Sequence, residues 1–209
     1  YDEFETLFKK EFGRSAQLKP ASAFLRPKSR RWGRPDAVAA VFITGTITDG
    51  PSNQNPVFGS ASSGSKTVVS SLERLRTDKR IKAVVLRINS PGGSVSASDS
   101  IWRAVQRVNQ VKPVLVSMGN VAASGGYYVA SAARKIHGNE LSVTGSIGVF
   151  AGKVSGQKLM DRLGVHRAYF LRGKHAAMLS ITQPWSESER SAIQRSMDAY
   201  YNVFLDRVA

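Results

Sequence analysis

Apolar residues along this chain fall either into short continuous runs or into stripes at helical spacing. The runs cover residues 37–47, 81–88 and 113–118, which predicts three buried strands. Between them lie two helical stripes: Val68, Val69, Leu72 and Leu75, then Ala97, Ile101, Ala104, Val105 and Val108. Strands that alternate with helices through short connections form crossover units and a parallel sheet. The pattern therefore predicts an α/β fold.

The intervening and later segments are less regular. Residues 49–65 are rich in Gly, Pro, Ser and Asn and are predicted to form a loop. Small residues after Asn120 predict a tightly packed helix, and residues 165–171 predict a strand. Before that strand we expect a short helix that contains Leu159, Met160 and Leu163 and ends at Gly164.

A capping-box pattern, Ser186 with Glu189, predicts the start of the last helix. Its apolar residues recur at helical spacing, so we expect that face to lie in the core or in a subunit interface. The face consists of Ile193, Met197, Tyr200, Tyr201, Phe204 and Val208.

Charge divides the chain unevenly. The 209 residues contain 30 Lys+Arg and 15 Asp+Glu, a formal charge of +15, and residues 13–35 contain basic residues but no acidic ones. Because this stretch also has Gly and Pro and no periodicity, we expect residues 1–35 to be a basic arm or linker and residues 36–209 to be the domain. The arm is expected to be solvated or to contact anionic membrane. Trp32 stands alone among the basic residues, so the arm lacks the interleaving of aromatic and basic residues that stacks nucleic-acid bases.

Composition excludes several classes of site. The chain has no cysteine, which excludes a disulfide scaffold, a zinc ribbon and a thiol nucleophile. No metal-ligand cluster, phosphate loop or dinucleotide fingerprint is present, so we expect neither a metal nor a cofactor. Its longest clean apolar run, residues 37–43, is far shorter than a membrane span. Since the chain starts at Tyr1 and its last helical pattern continues to Ala209, we expect a piece of a longer protein.

Two glycine-rich breaks carry the candidate chemistry: SPGGS at residues 90–94 and AASGG at residues 122–126. They follow neighbouring predicted strands, and ligands bind at the carboxyl ends of parallel strands. Glycine amides there are free to donate to an oxyanion. Ser124, at a strand-to-helix turn, is the best nucleophile candidate, although tight helix packing explains a small residue there equally well.

A serine nucleophile needs a base. None of His137, His166 and His175 stands beside a carboxylate in triad order, and no G-x-S-x-G motif occurs, so each histidine is expected to be structural. The alternative base is a lysine that burial keeps neutral.

Three motifs in order, at residues 87–95, 117–128 and 141–148, resemble the signal peptide peptidase A family of bacterial Ser–Lys proteases. The resemblance covers residues 37–208 and implies the crotonase-like fold shared with Clp protease, built from stacked α/β units. It implies that Ser124 is the nucleophile, that the N–H groups of Gly93 and Gly125 form the oxyanion hole, and that Ser146 orients the lysine.

The position of the general base departs from the short form of that family. Aligning Gly164 and Gly173 places Ala176 where the short form has its lysine. Lys174 is two residues away, which displaces its amine by about 6–7 Å along an extended segment, so it is an alternative base only if a bulge shifts the register. In the long form the lysine and the serine lie on separate tandem halves. We therefore expect this chain to be the carboxy-terminal, serine-bearing half, with the lysine supplied by an amino-terminal half or a neighbouring subunit.

The resemblance implies hydrolysis of cleaved signal peptides or other extended apolar peptides. It also implies a homo-oligomer at the periplasmic face of the bacterial inner membrane, anchored through a segment outside this sequence. Two alternatives remain open. One is a crotonase-type enzyme acting on an acyl thioester, for which the nearest acid, Asp99, lies inside a predicted helix. The other is a protease-like scaffold without catalytic activity.

Overall fold

The computed structural model describes residues 35–54 and 61–209. The basic arm predicted for residues 1–35 lies outside the described residues except for Pro35, and the predicted domain boundary stays a prediction. The strands are β1 (Ala37–Thr44), β2 (Thr46–Thr48), β3 (Asn53–Gln54), β4 (Ala61–Gly64), β5 (Ile81–Ser90), β6 (Val114–Ala123), β7 (Lys135–His137) and β8 (Val143–Gly145). The helices are α1 (Ser65–Thr77), α2 (Val95–Asn109), α3 (Gly125–Ala130), α4 (Gln157–Arg162) and α5 (Glu187–Val208).

A parallel sheet organises the molecule, with strand order β1–β5–β6–β7 and with β8 paired to the last residues of β6. A smaller sheet has the order β2–β4–β3. The predicted α/β class with a parallel sheet is confirmed.

The core lies between the main sheet and its covering helices. All five residues of the α2 stripe are fully buried, as the spacing predicts: Ala97, Ile101, Ala104, Val105 and Val108. From α1, Val68 and Leu72 are buried as well. The central strands β5 and β6 contribute Leu86, Ile88 and Val116, so the site-bearing strands are the best packed ones.

Three boundaries differ from the predictions. The strand expected over residues 37–47 is divided into β1 and β2 at Gly45, whose φ is +71°. The segment predicted as a loop contains β3 and β4, because β4 pairs with β2 and β3 pairs with β4. The helix predicted after Asn120 was placed too early: β6 continues to Ala123, since its end pairs with β8, and the helix is confined to α3.

The carboxy-terminal predictions had mixed outcomes. The short helix α4 and its end at Gly164, with φ +65°, are confirmed, and so is the capping box of Ser186 and Glu189. The strand predicted for residues 165–171 was wrong, because that segment has no strand partner in the described part. On α5, Phe204 is buried but Tyr200 is half exposed. Among residues 35–54 and 61–209, no helix has both the length and the apolar character needed to cross a membrane.

Candidate active site

The two glycine-rich loops meet at the carboxyl ends of β5 and β6. These strands are hydrogen-bonded neighbours, with Ser90 opposite Ala122. Gly92, whose φ is +100°, lies directly against the second loop, since a Cβ on it would be 2.6 Å from the Gly125 nitrogen and 2.9 Å from the Ser124 Cβ. Glycine at position 92 therefore allows the close approach that brings the loops together.

Ser124 has a strained backbone between β6 and α3, with φ +49° and ψ −119°. Its N–H donates to the Gly145 carbonyl (2.8 Å), and its carbonyl accepts from the Tyr128 N–H (2.8 Å). In the described part of the chain, only Ser124 and Ser146 combine a side chain with a positive φ. Such conformations persist when the surrounding structure enforces them, and they cluster at functional sites.

The Gly93 amide is directed towards the Ser124 loop by its pairing with β2. Ile47 donates its N–H to the Gly92 carbonyl (2.8 Å) and accepts from the Ser94 N–H (2.9 Å). Because Ile47 bonds the two residues that flank Gly93, the N–H of Gly93 points away from β2. The Gly93 nitrogen lies 3.3 Å from the place that a Cβ on Gly125 would occupy.

Gly125 supplies the second amide, because it is the first residue of α3 and its N–H has no intrahelical acceptor. Within the described residues, neither the Gly93 nor the Gly125 N–H has an acceptor. Two unpaired donors beside a hydroxyl form an arrangement suited to stabilising a tetrahedral oxyanion.

A small, largely apolar pocket adjoins Ser124. It lies between α2, α3, α5 and the loop after β8, and its lining residues are Gly93, Val95, Ser98, Ser124, Gly125, Tyr128, Gly148, Val149, Tyr200 and Phe204. The pocket therefore suits a small apolar group.

Ser146 is next to a residue that bonds Ser124, whereas Lys174 does not line the pocket beside Ser124. Ser146 is exposed and follows Gly145, whose carbonyl holds the Ser124 amide. Lys174 lies in a series of turns rather than in the extended segment assumed from the sequence. Lys174 is exposed and lines a different depression, together with Ala176 and Trp185.

In the part of the chain that the structure describes, the pocket around Ser124 is lined by neither a lysine nor a histidine. The ammonium of Lys153 donates to the carbonyls of Ala177 and Met178. His166 lines another depression. His175 lies near Glu189, and the pKa of that carboxyl is lowered mainly by the hydrogen bond from the Ser186 N–H. Among the described residues, Ser124 and the two unpaired amides thus come together with neither a lysine nor a histidine in the pocket beside them.

Asp99 does not line the pocket beside Ser124, and its carboxylate is bonded to two other side chains. It is therefore not placed to act as the acid or base that the acyl-thioester alternative requires. Its carboxylate accepts from the Tyr128 hydroxyl (2.7 Å) and from Arg103 Nε (2.6 Å). Burial acts to raise the pKa of Asp99, but the hydrogen bonds from Arg103 and Tyr128 outweigh it, so the pKa is lower than usual. The pKa of Tyr128 is raised by burial and by its hydrogen bond to Asp99.

Two supporting residues were missed by sequence reasoning. Tyr128 in α3 is buried, and its ring packs edge-on against Phe204 of α5 (5.0 Å between centroids). Asp49, assigned to a loop, accepts hydrogen bonds from the hydroxyls of Ser94 and Ser96. The Ser-x-Ser spacing was the available signal, but it does not reveal which carboxylate lies opposite.

Comparisons with known proteins give a consistent result. The model of Peptidase family S49 matches residues 106–209, and that of Clp protease matches residues 59–144. The chain is 38% identical over 143 residues to the chloroplastic serine protease SPPA of Arabidopsis thaliana, covering 68% of this chain and 21% of that protein. It is 35% identical over 176 residues to Protease 4 of Haemophilus influenzae (84% and 28% covered) and 35% identical over 173 residues to Protease 4 of Salmonella typhi (82% and 27% covered). The chain spans about a quarter of the length of these relatives.

Proposed function

Because this chain belongs to peptidase family S49, the signal peptide peptidase A family, we propose that it carries the nucleophile and the oxyanion hole of a serine peptidase. The observation that supports this most strongly is the placement of a strained serine between two unpaired amides. Ser124 stands at the carboxyl end of β6, and the N–H groups of Gly93 and Gly125 have no acceptor among the described residues. The fold provides the rigid frame that such a site requires.

In the proposed mechanism, Ser124 Oγ attacks the carbonyl carbon of the scissile peptide bond while a neutral lysine removes its proton. The resulting oxyanion accepts hydrogen bonds from Gly93 and Gly125. Collapse breaks the C–N bond, and the leaving amine takes the proton back from the lysine. Water, activated by the same base, then hydrolyses the acyl-enzyme and restores Ser124.

We place the general base outside the described part of this chain, on an amino-terminal half or a neighbouring subunit. Ser146, beside the Ser124 amide, would orient the incoming lysine. The proposal draws support from large apolar side chains that lack packing partners in the region that would receive such a segment. Among them, Leu141 and Phe150 are each 94% exposed and Phe170 is 97% exposed. Apolar surface of this kind is typical of interfaces, and it also supports the proposed homo-oligomer.

The substrates we propose are cleaved signal peptides or other extended peptides with apolar side chains. The apolar pocket beside Ser124 supports this choice, since it offers burial without a charged partner. Extended peptides bind such grooves by backbone pairing, and side chains at alternate positions enter the pockets. The proposed location is the bacterial cell envelope, where the basic arm would lie against anionic lipid.

Substitution of the nucleophile in the full-length protein tests the proposal. Ser124→Ala should lower kcat for peptide hydrolysis by at least about 10³-fold and leave peptide binding close to normal, because the pocket and the amides remain. Labelling of the wild type by a serine-reactive fluorophosphonate should map to Ser124. The matched control is Ser191→Ala, a serine on α5 that bonds only its own helix. An unchanged rate in Ser124→Ala would rule out this function.

A further inference from the structure

The loop that bears Gly93 is tied by a carboxylate to the turn after β2. Ser94 Oγ donates to Asp49 Oδ2 (2.5 Å), and Ser96 Oγ donates to Asp49 Oδ1 (3.0 Å). The two hydroxyls are also 2.9 Å from each other. A single carboxylate therefore holds the residue immediately after Gly93 and the first turn of α2.

The position of the loop depends on hydrogen bonds from its neighbours, because its two glycines have no side chains that could pack. Gly92 and Gly93 have φ values of +100° and +154°, and the peptide between them is held by the hydrogen bond from the Ile47 N–H to the Gly92 carbonyl. At the start of the loop, the buried Ser90 donates to the Gly45 carbonyl (2.6 Å) and accepts from the Gly92 N–H (3.1 Å). Asp49 provides the corresponding anchor at the end of the loop.

Asp49 itself stands on a well-supported turn. The carbonyl of the next residue, Gly50, accepts from the Lys66 N–H (2.9 Å), which joins the turn to the start of α1. Ser52 Oγ accepts from the Gly64 N–H (2.9 Å), which joins it to β4. Because the turn is held by α1 and β4, its carboxylate can fix the position of the loop that bears Gly93.

Ser94 transmits this constraint to the helix as well as to the loop. Its Oγ accepts from the Ala97 N–H (3.3 Å), capping α2, while it donates to Asp49. Its own N–H is bonded to Ile47. Ser94 is thus held at both its N–H and its side chain, on one side of Gly93. On the other side, the Gly92 carbonyl accepts from Ile47, so the Gly92–Gly93 peptide keeps its N–H facing away from β2 and towards Gly125.

We propose that Asp49 is a positioning residue for the oxyanion hole: through Ser94 and Ser96 it holds the Gly93 amide towards Ser124. The inference rests on the proposed peptidase function and deepens it. Asp49 does not line the pocket beside Ser124. Its effect is exerted on the transition state, because the Gly93 donor matters most when the carbonyl oxygen becomes negative.

The test uses the full-length protein with Asp49→Ala. Because misplacing a catalytic donor by about 1 Å can cost about 10²-fold in rate, we expect kcat to fall about 10- to 100-fold with KM within about twofold of wild type. Inhibition by a peptide aldehyde, whose adduct with Ser124 places an oxyanion in the hole, should weaken by the same factor. Asp49→Asn keeps one acceptor oxygen and should recover part of the loss. The matched control is Asp78→Ala, an aspartate that bonds Arg80 beyond the end of α1.

Two further results decide the matter. If Asp49 acts through the two hydroxyls, adding Asp49→Ala to the Ser94→Ala/Ser96→Ala double variant should lower kcat no further. A purely structural role predicts a lower Tm and fewer titratable active sites at an unchanged kcat per site, and that outcome would overturn the inference. If Ser124→Ala is inactive while Asp49→Ala has full kcat, only this inference fails. If Ser124→Ala retains turnover, the proposed function itself fails.

Discussion

The described residues 37–54 and 61–132 bury most of their large apolar side chains, whereas residues 135–181 leave most of theirs exposed. In the first region Leu86, Ile101 and Val116 are fully buried between the main sheet and its helices. In the second, Phe150 and Phe170 are almost completely exposed. The first region contains the candidate nucleophile Ser124 and the glycines Gly93 and Gly125. The second contains Ala176, which aligns with the lysine of the short form of the family, and the alternative base Lys174. The candidate groups that must be held rigidly thus lie on the packed sheet, whereas the segment in which the short form of the family has its base leaves large apolar side chains exposed.

The largest expected difference between the two regions is in the effect of replacing a glycine of similar backbone conformation in each. Gly92 has φ +100° and a Cβ there would meet the Gly125 nitrogen and Ser124, whereas Gly173 has φ +108° and nothing within 4 Å of such a Cβ. Gly92→Ala should therefore displace the nucleophile loop and lower kcat/KM by about 10²-fold or more in the full-length protein. Gly173→Ala should cost only backbone strain, about 1–2 kcal/mol, and leave kcat/KM within about twofold. Peptide hydrolysis and urea unfolding measure both effects, and equal losses of activity would contradict the distinction.

Two leucines provide the corresponding test of packing. Leu86 in β5 is fully buried, and Leu179 is 84% exposed. Leu86→Ala should reduce the free energy of unfolding by about 2–5 kcal/mol, because it removes transfer energy and leaves a cavity. Leu179→Ala should change it by no more than about 0.5 kcal/mol. Urea unfolding of the chain by itself compares the two, and a large loss for Leu179→Ala would mean that the second region is packed within a single chain.

The smallest expected effect is a change in the pH dependence of stability when Asp99, which bonds Tyr128 of α3, is replaced. Its pKa in the folded chain is lower than the ordinary 3.8, since hydrogen bonds from Arg103 and Tyr128 outweigh the effect of burial. A depressed pKa stabilises the fold above the unfolded pKa, and this contribution is lost as the pH falls through the folded pKa. Asp99→Asn should therefore lower Tm at pH 7, and the difference from wild type should shrink as the pH falls below about 4. A difference that stays constant over this range would show that the charge of Asp99 contributes nothing.

The spacing of apolar residues was sufficient to predict the parallel core, but not the strands whose extent depends on pairing with a distant strand. The α2 stripe and the capping box of Ser186 depend on neighbours along the chain, so spacing alone predicted them. The end of β6 depends on β8, and the strand expected at residues 165–171 had no partner to pair with. A period of apolar residues carries no information about such pairing.

The candidate site shows the same division. Its glycine loops could be placed at the ends of β5 and β6 because parallel strands end at one edge. The positive φ of Ser124 and Ser146 and the contact of Asp49 with Ser94 and Ser96 arise from distant segments meeting in space. The roles of Ser124, Ser146, Gly93, Gly125 and Lys174 stay predictions until the variants are measured.

Peptide hydrolysis by the 209-residue chain alone and by the full-length protein tests the central claim most directly. If the base lies outside the described chain, the 209-residue chain alone should retain at most about 1% of the full-length kcat, because general-base catalysis contributes about 10²–10⁴-fold. In that case Lys174→Ala in the full-length protein should also stay within about twofold of wild type. Equal activity of the two forms, abolished in both by Lys174→Ala, would contradict the account and identify Lys174 as the base.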